Sequence, residues 1–411
     1  MSISTTPEVN AVHPVNADPN LINDDVAPLK HQRWGSYNIF AFWMSDVHSV
    51  GGYVTAGALF ALGLTAWQVL AALLVGITIV YVLCNLISLP SQQTGTPFAV
   101  VCRAAFGING AKVPAMIRGL IAVAWYGIQT YLASHALTIL ILKLWPQAAP
   151  YADKELHGFL GLSVIGYVAF FTLWVLQAFV FWRGMEAIRR FIDFCGPAVY
   201  LVMFLLAIYL VSQAGWSNIN LNLSEHQLSG AAAFVAFCGA VATVVSYFSG
   251  PMLNFGDIAR YGKSQKSVRL GNLLGLPLNF LVFSVLVVVT ASATLPVYGR
   301  LITDPVETIA QIDNTFAIAF GALTLIIATI GINIVANFIA PAFDFSTIAP
   351  SKISWRAGGM IAAVGSILVT PWNLYNSPEV WFAPGLMEGR KLEKETLTCP
   401  PNTLSSSSSA L

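Results

Sequence analysis

The chain has 411 residues, of which 9% are charged and 56% hydrophobic, and its 20 basic and 19 acidic side chains leave a net charge of +1. A soluble domain carries about 25% charged residues, so a soluble globular protein of this length is excluded. The balanced charge also leaves no basic face for nucleic acid. What remains is a polytopic membrane body, with room for about ten helices of 20 apolar residues each.

The first 30 residues are polar, contain Asp24 and Asp25, and lack the basic start and apolar core of a signal peptide. Residues 1–36 are therefore predicted to form a disordered cytoplasmic tail. Nine apolar stretches follow, at 37–62, 65–89, 115–143, 158–181, 194–213, 230–256, 272–296, 315–341 and 357–375, bounded by Gly, Pro and charged residues. Strand-like alternation is absent, which argues for an all-α protein rather than a barrel.

With the N-terminus placed in the cytoplasm, the inner segments hold Lys30, Arg33, Arg103, Lys112, Arg118, Arg183, Arg189, Arg190, Arg260, Lys263, Lys266, Arg269, Lys352 and Arg356. The outer loops hold only Lys143, Lys154 and Arg300. That asymmetry follows the positive-inside rule and predicts a multi-pass protein of the cell's inner membrane. Cys84, Cys102, Cys195, Cys238 and Cys399 form no CxxC pair, so neither a disulfide framework nor a zinc site is expected.

Two stretches are interrupted. The first carries Ser45, Asp46, His48, Ser49, Gly51 and Gly52, and the sixth carries Ser249, Gly250 and Pro251. Glycine and proline lower the cost of unwinding, and freed backbone groups at membrane depth need a protein-lined or watery cavity. Interruptions five spans apart are the pattern of a transporter with two inverted five-helix repeats. On this reading 37–213 is the first repeat, 214–229 an outer loop, and 230–376 spans 6–9 of the second.

Ionisable residues inside a span usually face a cavity or a proton path, so Asp46 and His48 are proton-coupling candidates, the alternative being solvation at the span's inner end. Asp257 is expected to pair with Arg260. In the third span Trp125 and Gln129 lie one turn apart on one face. They offer a flat ring beside an amide donor and acceptor, which suits a planar heterocycle with a lactam edge; core packing is the alternative for Trp125. Asn333 and Asn337, also one turn apart, are expected to hydrogen-bond between helices. No HExxH or GxGD motif is present, so no enzyme is expected.

The segments NIFAFWMSDVHSVGGY, TGTPFAVVCRAAFGINGAKVPAMIRGLIAVAWYGIQTYLAS, LNFGDIARYGKS, NIVANFIAPAFDFS and TPWNLYNSP resemble the nucleobase–cation symporter-1 family of cytosine, purine, uracil, thiamine, allantoin and hydantoin permeases. The resemblance covers 31–380. It implies a leucine-transporter-like fold, usually of 12 spans, and import of a small heterocycle across the bilayer, with no protein partner. It also implies a substrate site at Trp125, Gln129, Phe248, Asn337, Ser49 and His48, with the ring held between Trp125 and Phe248.

Sodium-coupled members carry a Ser-Thr pair in span 8, where this chain has Gly331 and Ile332. Neither has a side-chain oxygen for a hard cation, so the coupling ion is expected to be H+ rather than Na+, with no cofactor and no metal ligands. Residues 377–411 are charged and then Ser-rich, where the family continues with further spans. They are expected to be disordered and the second repeat incomplete. The alternative function is thus a truncated, non-transporting relic or an uncoupled heterocycle-binding membrane protein.

Overall fold

The computed structural model describes residues 11–14, 18–48, 50–224 and 226–376. Among them, seven helices are long and apolar enough to cross a membrane. They are Ala66–Thr94 (span 2), Lys112–Leu144 (span 3), Val164–Trp182 (span 4), Met185–Ala214 (span 5), Gly230–Tyr247 (span 6), Gln265–Tyr298 (span 7) and Thr315–Ile348 (span 8). Span 1 is two pieces, Ser36–Val47 and Val50–Phe60. A shorter apolar helix, Trp355–Leu368, follows span 8. The one departure from helix and loop among the named elements is a two-residue hairpin, Gly158–Phe159 with Leu162–Ser163.

Local chemistry explains the helix ends. Thr65 and Gln68 form a reciprocal capping box at the start of span 2. Ser163, Asn314 and Ser354 accept from the third backbone N–H of the helices they open. Gly95 and Gly299 close spans 2 and 7 with φ near +70°, a conformation that costs glycine little.

Both predicted interruptions are present. Span 1 breaks after Val47, where His48 leaves helical geometry at φ −85°, ψ 77°. Span 6 breaks at Phe248 (φ −86°, ψ 0°) before the short helix Ser249–Leu253. Two wider turns of π type were not foreseen, Leu274–Leu278 in span 7 and Asn333–Phe338 in span 8. After the second of these, span 8 runs on to Ile348, beyond the predicted limit of 341. Pro341 is the third residue after that π turn, where the regular hydrogen-bond ladder is already interrupted.

Span 8 lies at the centre, with 78% of its apolar window buried in protein, whereas span 6 has 17% and turns most of its surface outward. Span 3 runs beside span 8 and also touches span 4 and Trp355–Leu368. An additional helix, Phe98–Gly110, fills what the sequence left as a loop before span 3.

Three expectations need correction. Part of the predicted disordered tail is packed: Val26, Ala27 and Trp34 are buried, and Asn23 donates to Ser346 Oγ (3.1 Å) and the Pro350 carbonyl (3.0 Å). Arg118 and Arg260 are buried rather than in aqueous loops, although the basic bias survives without them. Among the described residues, Asp257 and Arg260 form no ion pair. Arg260 instead donates to the carbonyls of Gly95 (2.9 Å), Asp25 (2.7 Å) and Ala27 (2.6 Å), while Asp257 accepts from Phe98 N–H at 2.8 Å. A buried guanidinium has five donors, and three carbonyls satisfy more of them than one carboxylate could. The expected tail over 377–411 lies outside the described residues.

Candidate functional site

Span 3 places Arg118, Trp125 and Gln129 on one stripe, at intervals of seven and four residues. That stripe faces the two broken helices and the π turn of span 8. Between them is a cavity of about 700 Å³, lined by Asp46, Arg118, Trp125, Gln129, Tyr247, Ser249, Gly250 and Asn337 among others. Trp125 is 38% exposed and presents its ring to this space, whereas Gln129 and Asp46 are buried.

The polar inventory of the cavity is specific. Gln129 Oε1 and Asp46 Oδ1 are buried acceptors with no hydrogen-bond partner among the described residues. Leaving such groups unpaired is costly, and each has a lone pair free to accept an N–H. The Gln129 amide also reaches the break in span 1, since a Cβ on Gly51 would stand 3.5 Å from its Nε2.

Asn337 donates one amide hydrogen to Asn333 Oδ1 (3.0 Å), leaving its other hydrogen and its carbonyl oxygen available. Asn333 Nδ2 in turn shares its two hydrogens among the Tyr126 carbonyl (2.9 Å), Thr130 Oγ1 (2.9 Å) and Gln177 Oε1 (2.8 Å), tying span 8 to spans 3 and 4. The expected asparagine ladder therefore exists, and it fixes the wall on which Asn337 stands.

The structure thus brings together Trp125, Gln129, Asn337 and Asp46. It does not bring Phe248 to the cavity. The break in span 6 falls between Tyr247 and Phe248, so the two rings diverge. Tyr247 lines the cavity, and Phe248 is fully buried against Trp43 (centroids 6.4 Å) and Phe280 (5.3 Å). His48 is also away from it. Its Nδ1 meets Tyr53 Oη at 2.7 Å and its ring abuts Tyr200 at 4.0 Å in an aromatic enclosure. Ser49 lies outside the described residues.

Sequence reasoning missed Tyr247 and Arg118 as cavity residues. Arg118 donates to the carbonyls of Gly250 (3.3 Å) and Ala336 (2.9 Å), clamping the break of span 6 to the π turn of span 8. Its spacing of seven residues from Trp125 was the available signal.

Residues 27–387 match the family described as permeases for cytosine/purines, uracil, thiamine and allantoin. The allantoin permease of Bacillus subtilis is 32% identical over 372 residues, which cover 90% of this chain and 76% of that protein. The purine-uracil permease NCS1 of Arabidopsis thaliana is 30% identical, covering 88% and 60% respectively. Among solved structures, Mhp1, a nucleobase-cation-symport-1 family transporter in a closed conformation with bromovinylhydantoin bound, superposes with a TM-score of 0.70 at 21% identity, covering 86% of this chain and 75% of that one. MhsT in complex with L-phenylalanine superposes with a TM-score of 0.64 at 15% identity, covering 87% and 84%. These likenesses show a leucine-transporter-like fold.

Proposed function

Because the chain belongs to the family of cytosine/purine, uracil, thiamine and allantoin permeases, and is therefore a multi-pass membrane transporter and not an enzyme, we propose that it imports a nucleobase-like or hydantoin-like heterocycle by symport with H+. The observation that carries this reading is one cavity holding the exposed face of Trp125, the unpartnered acceptor Gln129 Oε1 and the amide of Asn337. A flat lactam ring would stack on the indole and donate an N–H to Gln129. Uracil, allantoin and hydantoin all present such an edge. Tyr247 is the second aromatic wall in this reading, in place of Phe248.

For the driving ion, the donor set at Gly331 and Ile332 does not fit sodium. A Cβ on Gly331 would stand 3.1 Å from Cys195 Sγ and 3.5 Å from Ser45 Cβ, so the seam between spans 1, 5 and 8 is closely packed, and the two span-8 positions contribute no side-chain oxygen to it. Of the two proton-coupling candidates, Asp46 shares the cavity and His48 does not. The surviving basic bias supports an inner-membrane location with the N-terminus inside.

The test is uptake of labelled uracil, allantoin and hydantoin into cells expressing the chain, with and without an uncoupler. Accumulation of at least one, abolished by the uncoupler and by Trp125→Ala, is the expected result. Uptake that follows a sodium gradient at constant pH would refute the proton reading. Full retention of uptake of the transported compound in Trp125→Ala would refute the stacking site.

A further inference from the structure

Between the turn that follows span 6 and the last part of span 8 lies a second polar group that the substrate reading does not use. Asp257, on the turn Gly256–Ala259 after the broken span 6, and Asp344, in the last part of span 8, are both buried, as is Asn254 between them. Asn254 Nδ2 is 3.2 Å from Asp257 Oδ2 and 3.3 Å from each oxygen of Asp344. The two carboxyls therefore flank one amide nitrogen.

Charge accounting leaves the buried carboxyls of this region, Asp46 of the cavity included, one proton short. Arg118 acts electrostatically on Asp344, Asp257 and Asp46, and Arg260 acts on Asp257. Two cations thus face three buried carboxyls, before the half-buried Asp25 beside Arg260 is counted. The other titratable groups facing the pair, the Cys102 thiol and the Tyr261 phenol, add no positive charge. An uncompensated buried charge costs several kcal/mol, and a proton removes it.

Within the pair, hydrogen bonding favours Asp344 as the carboxyl that takes a proton. Asp257 accepts from the Phe98 backbone N–H and from Asn254, whereas both Asp344 oxygens share the one long contact to Asn254.

We propose that Asp257 and Asp344 share one proton, carried on Asp344, and that the pair is a protonation site of the transporter. Losing that proton would leave two negative charges around one amide and push Gly256–Ala259 away from Ile339–Ile348. Proton binding therefore favours the closed seam between the broken helix and span 8. The site stands on these contacts alone, and its part in transport rests on the proton-driven reading above.

The test is infrared difference spectroscopy on the full chain in lipid nanodiscs, following the carboxylic-acid C=O stretch and its shift in D2O. The wild type should show a buried acid band at pH 7. Asp344→Asn should lose it, Asp257→Asn should move it, and Asp46→Asn should leave it in place. Absence of the band from the wild type would overturn the proposal whether or not any variant folds. So would a band unchanged in both Asp344→Asn and Asp257→Asn, or one removed by NaCl but not by choline chloride.

In proteoliposomes, Asp344→Asn should lose at least tenfold of pH-gradient-driven allantoin accumulation while retaining equilibrium exchange; undiminished accumulation would count against the site. A wild type that shows the band but carries none of uracil, allantoin or hydantoin would refute the substrate reading and still support the proton assignment.

Discussion

Two neighbouring rings have opposite duties at the break in span 6. Tyr247 lines the cavity, while Phe248 is fully buried against Trp43 and Phe280. Tyr247→Ala should therefore weaken ligand binding about tenfold, in line with the roughly 0.5–1.5 kcal/mol that a ring contact adds beyond burial, and leave the melting temperature nearly unchanged. Phe248→Ala should do the reverse. Emptying a core phenylalanine site costs about 3–5 kcal/mol, so the melting temperature should drop while folded protein binds normally. Radioligand binding and thermal unfolding of the same two variants separate the roles, and the opposite pattern would restore Phe248 as the stacking residue. The sequence could not decide between two adjacent aromatics, because the answer depends on which peptide unit leaves helical geometry. Trp125 and Gln129 were legible for the opposite reason: they lie inside a continuous helix, where a spacing of four fixes a common face.

At the scale of the elements, span 8 is fixed by one amide. Asn333 is buried, and its Nδ2 reaches acceptors on spans 3 and 4 while its Oδ1 receives Asn337. Asn333→Ala would strand Gln177 Oε1 in the interior and free the Asn337 side chain. The expected loss is about 1–3 kcal/mol for the stranded polar groups, read as a lower melting temperature, together with weaker ligand binding because Asn337 loses its support. A variant with wild-type stability would show that the wall is held by packing instead. Nearby, a Cβ on Gly358 would stand 2.5 Å from the Ala342 carbonyl oxygen, the close backbone approach that small residues allow between membrane helices. Most spans were legible because a run of apolar residues of sufficient length has few alternatives in lipid. The limits were not. Pro341 read as a stop, and only the preceding π turn explains why helix resumes there. That misplaced limit hid Asp344, which a span carried on to Ile348 would have marked as an ionisable residue at membrane depth.

At the scale of the whole molecule, the packed part of the N-terminal segment joins pieces that the membrane helices leave separate. Arg103 donates to the Leu21 carbonyl, Asn23 holds the turn after span 8, and the Asp25 carboxylate accepts from the Trp355 backbone N–H at 2.7 Å. Gln32 Nε2 donates to the carbonyls of Gln92 and Arg260, both at 2.7 Å. Polar composition alone reads as a disordered tail, because nothing local in 18–34 specifies its partners. They lie on span 2, on the helix Phe98–Gly110, on span 8 and beside the ends of spans 6 and 8, from 60 to 330 residues away in the chain. Arg260 is the hub, with its guanidinium closing on the Gly95, Asp25 and Ala27 carbonyls. A lysine there keeps the charge but presents a point donor on a flexible stem, and cannot span three carbonyls in fixed directions. Arg260→Lys should therefore cost about 1.5–3 kcal/mol, the worth of one hydrogen bond to a charged group, and loosen the segment ahead of the membrane helices. Limited trypsin digestion would show it as faster cleavage after Lys30 and Arg33, with the spans still intact. Equal cleavage rates in variant and wild type would mean that the segment is held without Arg260.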